Sequence, residues 1–223
     1  WTENTVLNLK KDIKMEVCHT SNPALILIPD ISGFTKYIAT SEIRHSQEKI
    51  ALLLESILEN NILNFKVSEI EGDAILFYSY EFPYSATEII NQCQLMFDKF
   101  HQRIDEFKRS KCMCESCQNL YNLSLKFVLH FGQLGSVMVK DYCKLFGKDL
   151  IIAHRLLKNK ISSNEYILFT ENFSNQFPLI GTHLDNHTEL VNDIFNLEDI
   201  GDIGITYFDL KALSLKNRQG TTC

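Results

Sequence analysis

The sequence predicts an α+β protein, in which helices pack on a mostly antiparallel sheet. Short apolar runs typical of strands alternate with longer stretches whose apolar residues recur at helical spacing. Some strand-like runs are joined by connections too short for a helix, which predicts hairpins. The predicted order is β-α-ββ-α-ββ-α-β, and a closing strand follows. No Gly-x-Gly-x-x-Gly opens the first helix, so a dinucleotide-binding fold is not indicated.

In the first half of the chain, residues 24–29 (ALILIP) are short and wholly apolar, which predicts a buried strand. Residues 41–60 place isoleucines and leucines at helical spacing after Ser41, a residue type that favours helix starts. Residues 64–80 then form two strand-like runs that meet at 71–73 (Glu-Gly-Asp), a pattern typical of a hairpin.

The second half opens with a long apolar stripe that predicts a helix over about 85–109, and a cysteine cluster follows it. The remaining predicted elements are a pair of strands at 123–132 and 135–142, a short helix at 149–159, a strand at 165–170 and a closing strand at 201–210. A polar stretch around 181–187 is expected to connect the last two.

We expect a single main domain over residues 24–213, which carries a Cys-rich insert at 110–121. Residues 1–23 are expected to form an N-terminal extension, part of which need not be native because Trp1 is not a start residue. Residues 214–223 are expected to be a tail.

The composition argues against a nucleic-acid-binding, membrane-spanning or secreted protein. The net charge of −6, with no basic run, argues against a nucleic-acid surface. No stretch approaches the roughly 20 apolar residues that span a bilayer, and residues 1–14 lack the apolar block of a signal peptide. We therefore expect a cytoplasmic protein that binds neither nucleic acid nor membrane.

Two aspartates lie where strand-like runs end. Asp30 directly follows the first predicted strand, and Asp73 lies at the tip of the first hairpin. Two converging carboxylates would make a site for a hard cation such as Mg²⁺ or Mn²⁺. Aspartates are also common in turns for purely local reasons, so a structural role stays open. An aspartyl-phosphatase loop is set aside because Ser32 stands where that motif has its second aspartate.

Three ordered motifs resemble a known family: "DISGFT" from residue 30, "EIEGDAILF" from residue 69 and "KLFGKDLIIAHRL" from residue 144. They resemble the catalytic domain of class III nucleotidyl cyclases, whose fold is ferredoxin-like. The chain is also similar to a bacterial branch of that family, the DUF2652 proteins, which combine these blocks with a Cys-x-Cys-x-x-Cys cluster. The resemblance covers residues 24–210, nearly the whole chain.

The resemblance implies a two-metal site for Mg²⁺ or Mn²⁺ on Asp30 and Asp73, with the carbonyl of Ile31 as a third oxygen. It also implies that backbone amides cradle the β- and γ-phosphates of a nucleoside triphosphate, in the loop formed by Ser32, Gly33, Phe34 and Thr35. The implied product is a 3′,5′-cyclic nucleotide, with pyrophosphate released.

The same resemblance assigns roles in the second half of the site. Arg155 matches the arginine that stabilises charge developing on the phosphate, and the neighbouring His154 could supply a further donor. Glu69 and Lys144 match the two positions that read the base. Glutamate at the first position goes with guanine in the family, whereas lysine at the second is unusual, so the base stays open.

Two family residues have no match. The asparagine that contacts the ribose falls on Ile151, and no lysine precedes the last strand to hold the triphosphate. Lys158 and Lys160 are candidates to replace that lysine. Because family sites combine two domains, an active single-domain chain is expected to form a homodimer. The alternatives are a non-catalytic dimeric sensor of nucleotide or metal and an interaction domain pinned by zinc.

Seven cysteines and no secretion signal predict thiols or metal ligands rather than disulfides. Cys112, Cys114 and Cys117 have a spacing that suits structural Zn²⁺. The candidate fourth ligands are Cys93, His101, His130 or a residue of a partner chain. His45 and His130 are each expected to be packed or solvated rather than ligands.

Overall fold

The computed structural model describes residues 21–109, 115–179 and 189–210. The strands in this part of the chain are β1 (Asn22–Ser32), β2 (Lys66–Glu71), β3 (Ala74–Ser79), β4 (Ser124–Val139), β5 (Tyr142–Phe146), β6 (Tyr166–Thr170), β7 (Val191–Leu197) and β8 (Gly201–Asp209). The helices are α1 (Phe34–Thr40), α2 (Ile43–Leu58), α3 (Ala86–Arg109), α4 (Glu115–Asn119), α5 (Lys148–Leu156) and α6 (Glu171–Gln176), with a 3₁₀ turn at Leu120–Asn122.

The strands form one sheet in the order β2-β3-β1-β4-β6-β8-β7, and β5 pairs with the far end of β4. All pairs are antiparallel except that between β4 and β6. The prediction of an α+β fold with a mostly antiparallel sheet is confirmed. The first strand is central, flanked by β3 and β4, which explains why it is apolar on both faces.

Helices cover both faces of the sheet. The apolar stripes of α2 and α3 pack with α6 on the face that carries Leu25 and Leu27 of β1. The other face carries Ile26 and Ile28 and packs against Ala153 of α5. Because side chains alternate along a strand, Asp30 lies on the same face as Ile28, which is the face that α5 covers.

Local signals explain where the helices begin. Before α3, the amide of Ser85 donates to Glu88 Oε2 at 2.8 Å and the amide of Glu88 donates to Ser85 Oγ at 3.3 Å, a capping box. The hydroxyl of Thr170 accepts from the amide of Phe173 and caps α6. The predicted first and second long helices are confirmed as α2 and α3.

The prediction of separate strands at 123–132 and 135–142 is wrong. Residues 124–139 form the single long strand β4, the chain turns at Lys140, which has a φ of 55°, and Tyr142 already belongs to β5. Gly132 and Gly135, which lie within β4, are not among the glycines of positive φ. The elements that were not predicted are α1, α4, α6, β5, β7 and the 3₁₀ turn. The three helices among them have at most seven residues, too few for a periodic pattern.

The predicted domain start at residue 24 falls two residues inside β1, which begins at Asn22. The predicted extension up to residue 20, the polar stretch around 181–187 and the tail lie outside the described residues. None of the described helices is both long and apolar enough to cross a membrane.

Candidate functional site

The strand register brings the two predicted aspartates together. Asp30 on β1 pairs with Ala74 on one side, so it lies beside the hairpin tip that holds Asp73. The amide of Ile31 donates to the carbonyl of Asp73 at 3.1 Å. Gly72, with a φ of 62°, makes the tight turn that a residue with a side chain rarely adopts. Asp30 and Asp73, which are 43 residues apart in sequence, therefore lie together at the same end of the neighbouring strands β1 and β3.

On its other side Asp30 pairs with Lys126 of β4. Lys126 Nζ lies 3.0 Å from Asp30 Oδ2 and donates to the carbonyl of Leu157 at 3.0 Å. The two side chains are only 17% and 14% exposed. An ion pair shielded to this extent interacts more strongly than one at the surface, because less water screens it. Lys126 thus holds a positive charge directly at the predicted metal site.

The carboxyl group of Asp73 has a raised pKa. Burial, and after it the negative charge of Asp30, raise the pKa of its carboxyl from 3.8 to about 6, against smaller lowering effects of a backbone hydrogen bond and of Lys126. Without a cation, the two carboxylates repel each other. A divalent ion between them would remove that repulsion, so the arrangement fits a hard metal.

The loop after β1 lines the same cleft as the two aspartates. Gly33 has a φ of 87° and precedes α1, and a Cβ there would lie 3.1 Å from the carbonyl oxygen of Asn122. Glycine is required for both reasons. The hydroxyl of Ser32 is buried at the cleft and has no hydrogen-bond partner in the described part of the chain. Phe34 and Thr35 follow in the first turn of α1.

These groups line one cleft of about 890 Å³. It is large enough for a nucleotide. Its walls are formed by residues of the β1 loop, the β2–β3 hairpin, β4 and α5, namely Asp30, Ile31, Ser32, Gly33, Phe34, Thr35, Lys36, Glu71, Asp73, Ala74, Lys126, Leu150, Ile151, His154, Arg155, Leu157 and Lys158. Lys160, one of the two predicted phosphate contacts, is not among the lining residues.

The helix α5 supplies the remaining predicted groups of the cleft. Arg155 lines it and its guanidinium donates to the carbonyl of Glu198 in the β7–β8 turn. His154 Nδ1 lies 3.9 Å from Glu71 Oε2, too far for a hydrogen bond. Ile151, at the family's asparagine position, is 49% exposed and offers no polar atom.

Buried hydrogen bonds fix the start of α5. His130 of β4, 1% exposed, lies 2.9 Å from Asp149 Oδ1 through Nε2 and 2.8 Å from the hydroxyl of Thr170 through Nδ1. Asp149 Oδ2 accepts from the amide of Gln133 at 2.8 Å. These bonds hold the pKa of Asp149 below its usual range despite burial. His130 is packed, as one prediction had it, and this network engages both of its ring nitrogens.

The two predicted base-reading residues contact each other. Lys144 Nζ on β5 lies 3.2 Å from Glu69 Oε2 on β2. Lys144 is 65% exposed, so water screens the pair and it adds little stability. The pair lies outside the residues that line the cleft.

The residues for a divalent cation are therefore two carboxylates and the backbone at Ile31. In the described ranges no group of three or more His, Cys, Asp or Glu side chains comes together to hold a metal. A hard cation here would need oxygens from a ligand such as a triphosphate, as Mg²⁺ sites commonly do.

Lys126 is the residue that sequence reasoning missed. The signal was available, because Lys126 is the one charged residue in the apolar run 125–131. Its significance depends on pairing opposite Asp30, which the run does not reveal. Lys36 and Lys158 also line the cleft.

Of the predicted zinc cysteines, Cys112 and Cys114 lie outside the described residues. Cys117 is buried, and its Sγ lies 3.6 Å from His45 Nε2. The candidate Cys93 is fully buried in the core, where burial raises the pKa of its thiol.

Comparisons with known proteins agree with this architecture. The family model described as "Protein of unknown function (DUF2652)" matches residues 50–166. The chain is 32% identical over 169 residues to the uncharacterized protein Rv2561/Rv2562 of Mycobacterium tuberculosis, an alignment that covers 72% of this chain and 73% of that protein.

Among solved structures, the adenylyl cyclase CyaB from P. aeruginosa superposes with a TM-score of 0.65 at 10% identity, over 85% of this chain and 94% of that one. The guanylate cyclase domain of RhGC from Catenaria anguillulae in complex with GTP superposes with a TM-score of 0.58 at 13% identity, over 85% and 97%. Identities this low show a shared fold. This chain belongs to the DUF2652 family and has the fold of adenylyl and guanylyl cyclase catalytic domains.

Proposed function

We propose that the protein is a nucleotidyl cyclase that converts a nucleoside triphosphate to a 3′,5′-cyclic nucleotide and pyrophosphate with Mg²⁺ or Mn²⁺. The observation that carries this proposal is the position of Asp30 between Asp73 and Lys126, at the edge of a nucleotide-sized cleft. Two carboxylates and a shielded ammonium group side by side suit a cation-bound polyphosphate.

Each group has a role that follows from its chemistry. Asp30, Asp73 and the carbonyl of Ile31 would hold the divalent cations, which when bound neutralise the triphosphate. Lys126 is placed to donate to a phosphate oxygen once a cation takes over its charge balance with Asp30. The residues of the glycine loop line the same cleft, and their amides would hold the β- and γ-phosphates.

In the proposed reaction the ribose 3′-oxygen attacks the α-phosphorus, forms the new P–O bond and gives its proton to solvent water. The bond from this phosphorus to the pyrophosphate oxygen breaks, and pyrophosphate leaves with the electron pair. Charge on the α-phosphate oxygens grows during this displacement, and Arg155 would stabilise it after leaving the carbonyl of Glu198. His154 is the neighbouring donor on the same helix.

We further propose guanine as the base. Glu69 can accept from the N1–H of guanine, and Lys144 can donate to its O6. At these two positions an adenine would present an acceptor to the carboxylate and a donor to the ammonium group, which mismatches both. The 3.2 Å separation of the two side chains places a donor and an acceptor side by side, as this edge requires.

The test is incubation of the purified protein with each of ATP, GTP, CTP and UTP plus Mn²⁺, with products identified by mass spectrometry. We expect a cyclic monophosphate from GTP. Asp30→Asn and Asp73→Asn should abolish it, whereas Asp98→Asn, on the exposed side of α3, should not. Absence of any cyclic product from the dimeric, metal-supplied protein would contradict the proposal.

The second candidate is a nucleotide-binding sensor without turnover. It is favoured by Ile151, which puts an apolar side chain at the cleft where the related enzymes contact the ribose. A sensor would show an increase in melting temperature with GTP and Mn²⁺ and no product. The same incubation, read by both methods, separates the two functions.

A further inference from the structure

The hydroxyl group of Ser32, at the end of β1, is buried without a hydrogen bond. Ser32 is 9% exposed, and no donor or acceptor within the described ranges reaches its Oγ. The buried oxygens of Ser41 and Gln94 also lack a partner there, but those two residues do not line the cleft. A buried polar group without a partner destabilises a fold, and native proteins rarely keep one that has no use. The hydroxyl therefore points to a group that binds beside it.

The side chain of Ser32 lies on the face of the sheet that forms the cleft. Side chains alternate along β1, so Ser32 shares a face with Asp30, two residues before it. Both residues line the cleft. Rotation about the Cα–Cβ bond moves the serine oxygen among three staggered positions. The hydroxyl can thus turn to a ligand in the cleft while the strand stays in place.

The positive charges around Ser32 favour an anionic ligand group. Lys36, in the helix that follows, lines the same cleft, and Lys126 lies on the neighbouring strand, 3.0 Å from Asp30. The carboxylates of the cleft are assigned to the divalent cations. A phosphate oxygen is a strong acceptor, and a serine hydroxyl can donate one hydrogen bond to it. A phosphate group therefore satisfies both the hydroxyl and the charges.

We propose that the hydroxyl of Ser32 donates a hydrogen bond to the terminal phosphate of the bound nucleoside triphosphate. It would thereby make the protein select triphosphates over diphosphates. The inference rests on the proposed function, because it requires a nucleotide in the cleft. In that reaction Arg155 acts on the α-phosphate. Ser32 lies about 6.7 Å beyond Asp30 along the strand, in the loop assigned to the phosphates at the other end of the chain.

This role makes stability and affinity respond to the hydroxyl in opposite directions. In the ligand-free protein the hydroxyl only adds the cost of an unpaired buried donor, so its removal should stabilise the fold. In the complex it adds a hydrogen bond to an ionised acceptor, so its removal should weaken binding. A hydroxyl with a purely structural role would instead lower stability when removed and leave nucleotide selectivity unchanged.

The first measurement is the melting temperature of the full chain in chelator, without nucleotide. We expect Ser32→Ala to melt about 2 °C above the wild type. The matched control is Ser163→Ala, because the hydroxyl of Ser163 donates to Asp209 Oδ2 at 2.7 Å and accepts from the amide of Glu165 at 3.2 Å. That variant should melt below the wild type.

The second measurement is calorimetric titration in Mn²⁺ with 3′-deoxy-GTP and 3′-deoxy-GDP, which cannot cyclise. Ser32→Ala should bind the triphosphate about tenfold more weakly and the diphosphate within twofold of the wild type. Ser32→Cys, whose thiol is a weak donor, should lie between the two. Ser163→Ala should bind both as the wild type does. The corresponding adenine nucleotides are titrated in parallel, so that the choice of base does not decide the result.

Three results would overturn the inference: unchanged triphosphate affinity in Ser32→Ala, equal weakening of triphosphate and diphosphate, or a lower melting temperature of the ligand-free variant. If the variant loses triphosphate selectivity as expected and the wild type forms no cyclic product, the inference stands and only the proposed reaction fails. If the wild type binds none of these nucleotides, the nucleotide site is contradicted and the inference falls with it.

Discussion

At the level of single residues, Lys126 changes the charge of the site most, because it places a positive group beside the two aspartates. The side chain neutralises Asp30 in the protein described here, at 3.0 Å and largely shielded from water. The same ammonium group is placed to hold a phosphate when a divalent cation binds. In the proposed reaction Lys126 would therefore compensate in part for the lysine missing before the last strand, and it would do so from a different strand.

Replacing Lys126 by Met tests this role. We expect kcat/KM for GTP to fall about 100-fold, as for loss of one group that stabilises a transition-state charge. Without metal the variant should lose about 2 kcal/mol of the free energy of unfolding, because the largely buried carboxylate of Asp30 is left without a positive partner. Mn²⁺ should raise its melting temperature more than that of the wild type. Lys108→Met, which removes an exposed pair with Asp105 and a contact with the Tyr121 ring, both outside the cleft lining, should change neither quantity appreciably.

Asp73 predicts a pH dependence of stability. Its pKa is about 6 when folded against 3.8 for the free residue, so between these values the folded state binds more protons than the unfolded state. Stability from this group is therefore lost as pH rises from about 4 to 6. In chelator, Asp73→Asn should melt at a higher temperature than the wild type at pH 8. At pH 4 the two should melt alike, and a difference independent of pH would contradict this account.

At the scale of elements, the position of α5 depends on a glycine in a strand. A Cβ on Gly132 would lie 2.2 Å from Cγ of Asp149, the residue that joins α5 to His130 and Gln133. The helix can approach β4 this closely only because Gly132 has no side chain. Gly132 is thus a packing site for the helix that carries Arg155.

Gly132→Ala should consequently destabilise the fold by about 3 kcal/mol and reduce activity in the fraction that stays folded. Removing the opposing side chain in Gly132→Ala/Asp149→Ala should recover part of the stability but not the activity. Gly204→Ala is the control, because its new methyl group meets the movable end of Glu171 at 3.0 Å. Denaturant unfolding measures all three. Equal losses for Gly132→Ala and Gly204→Ala would contradict this explanation.

At the scale of the whole molecule, the exposed apolar side chains of the β4–β5 hairpin suit a homodimer. Val139, Tyr142 and Phe146 are 58%, 73% and 66% exposed on an arm that extends from the sheet. Covering such residues is favourable by the hydrophobic effect. We expect Phe146→Asp to shift the protein toward monomer in light scattering and to remove cyclase activity with it.

Mixing two inactive variants tests whether each site takes residues from both chains. If the aspartates of one chain act with the arginine of the other, equal amounts of Asp73→Asn and Arg155→Ala should recover about a quarter of wild-type activity, because half of the dimers regain one of two sites. Arg155 and Asp73 line the same cleft within one chain. If that cleft is complete by itself, mixing should recover nothing.

Sequence patterns predicted the buried strand that lies at the centre of the sheet, the two long helices and the position of the aspartates at strand ends. Each depends on a local pattern: an apolar run, a helical stripe and a hairpin glycine. These patterns, with the ordered motifs, were enough to indicate the fold. They could not show that β4 runs unbroken through Gly132, since glycine is typical of turns and equally of close packing.

The three-dimensional fold was needed to show which distant residues share a site or a contact. Lys126 reaches Asp30 through strand register, and His45 reaches Cys117 through the packing of helices 72 residues apart in sequence. Register and helix docking are set by burial of the whole apolar core rather than by any short segment. The chemical groups available can therefore be identified from the sequence, whereas the contacts between distant groups depend on the fold.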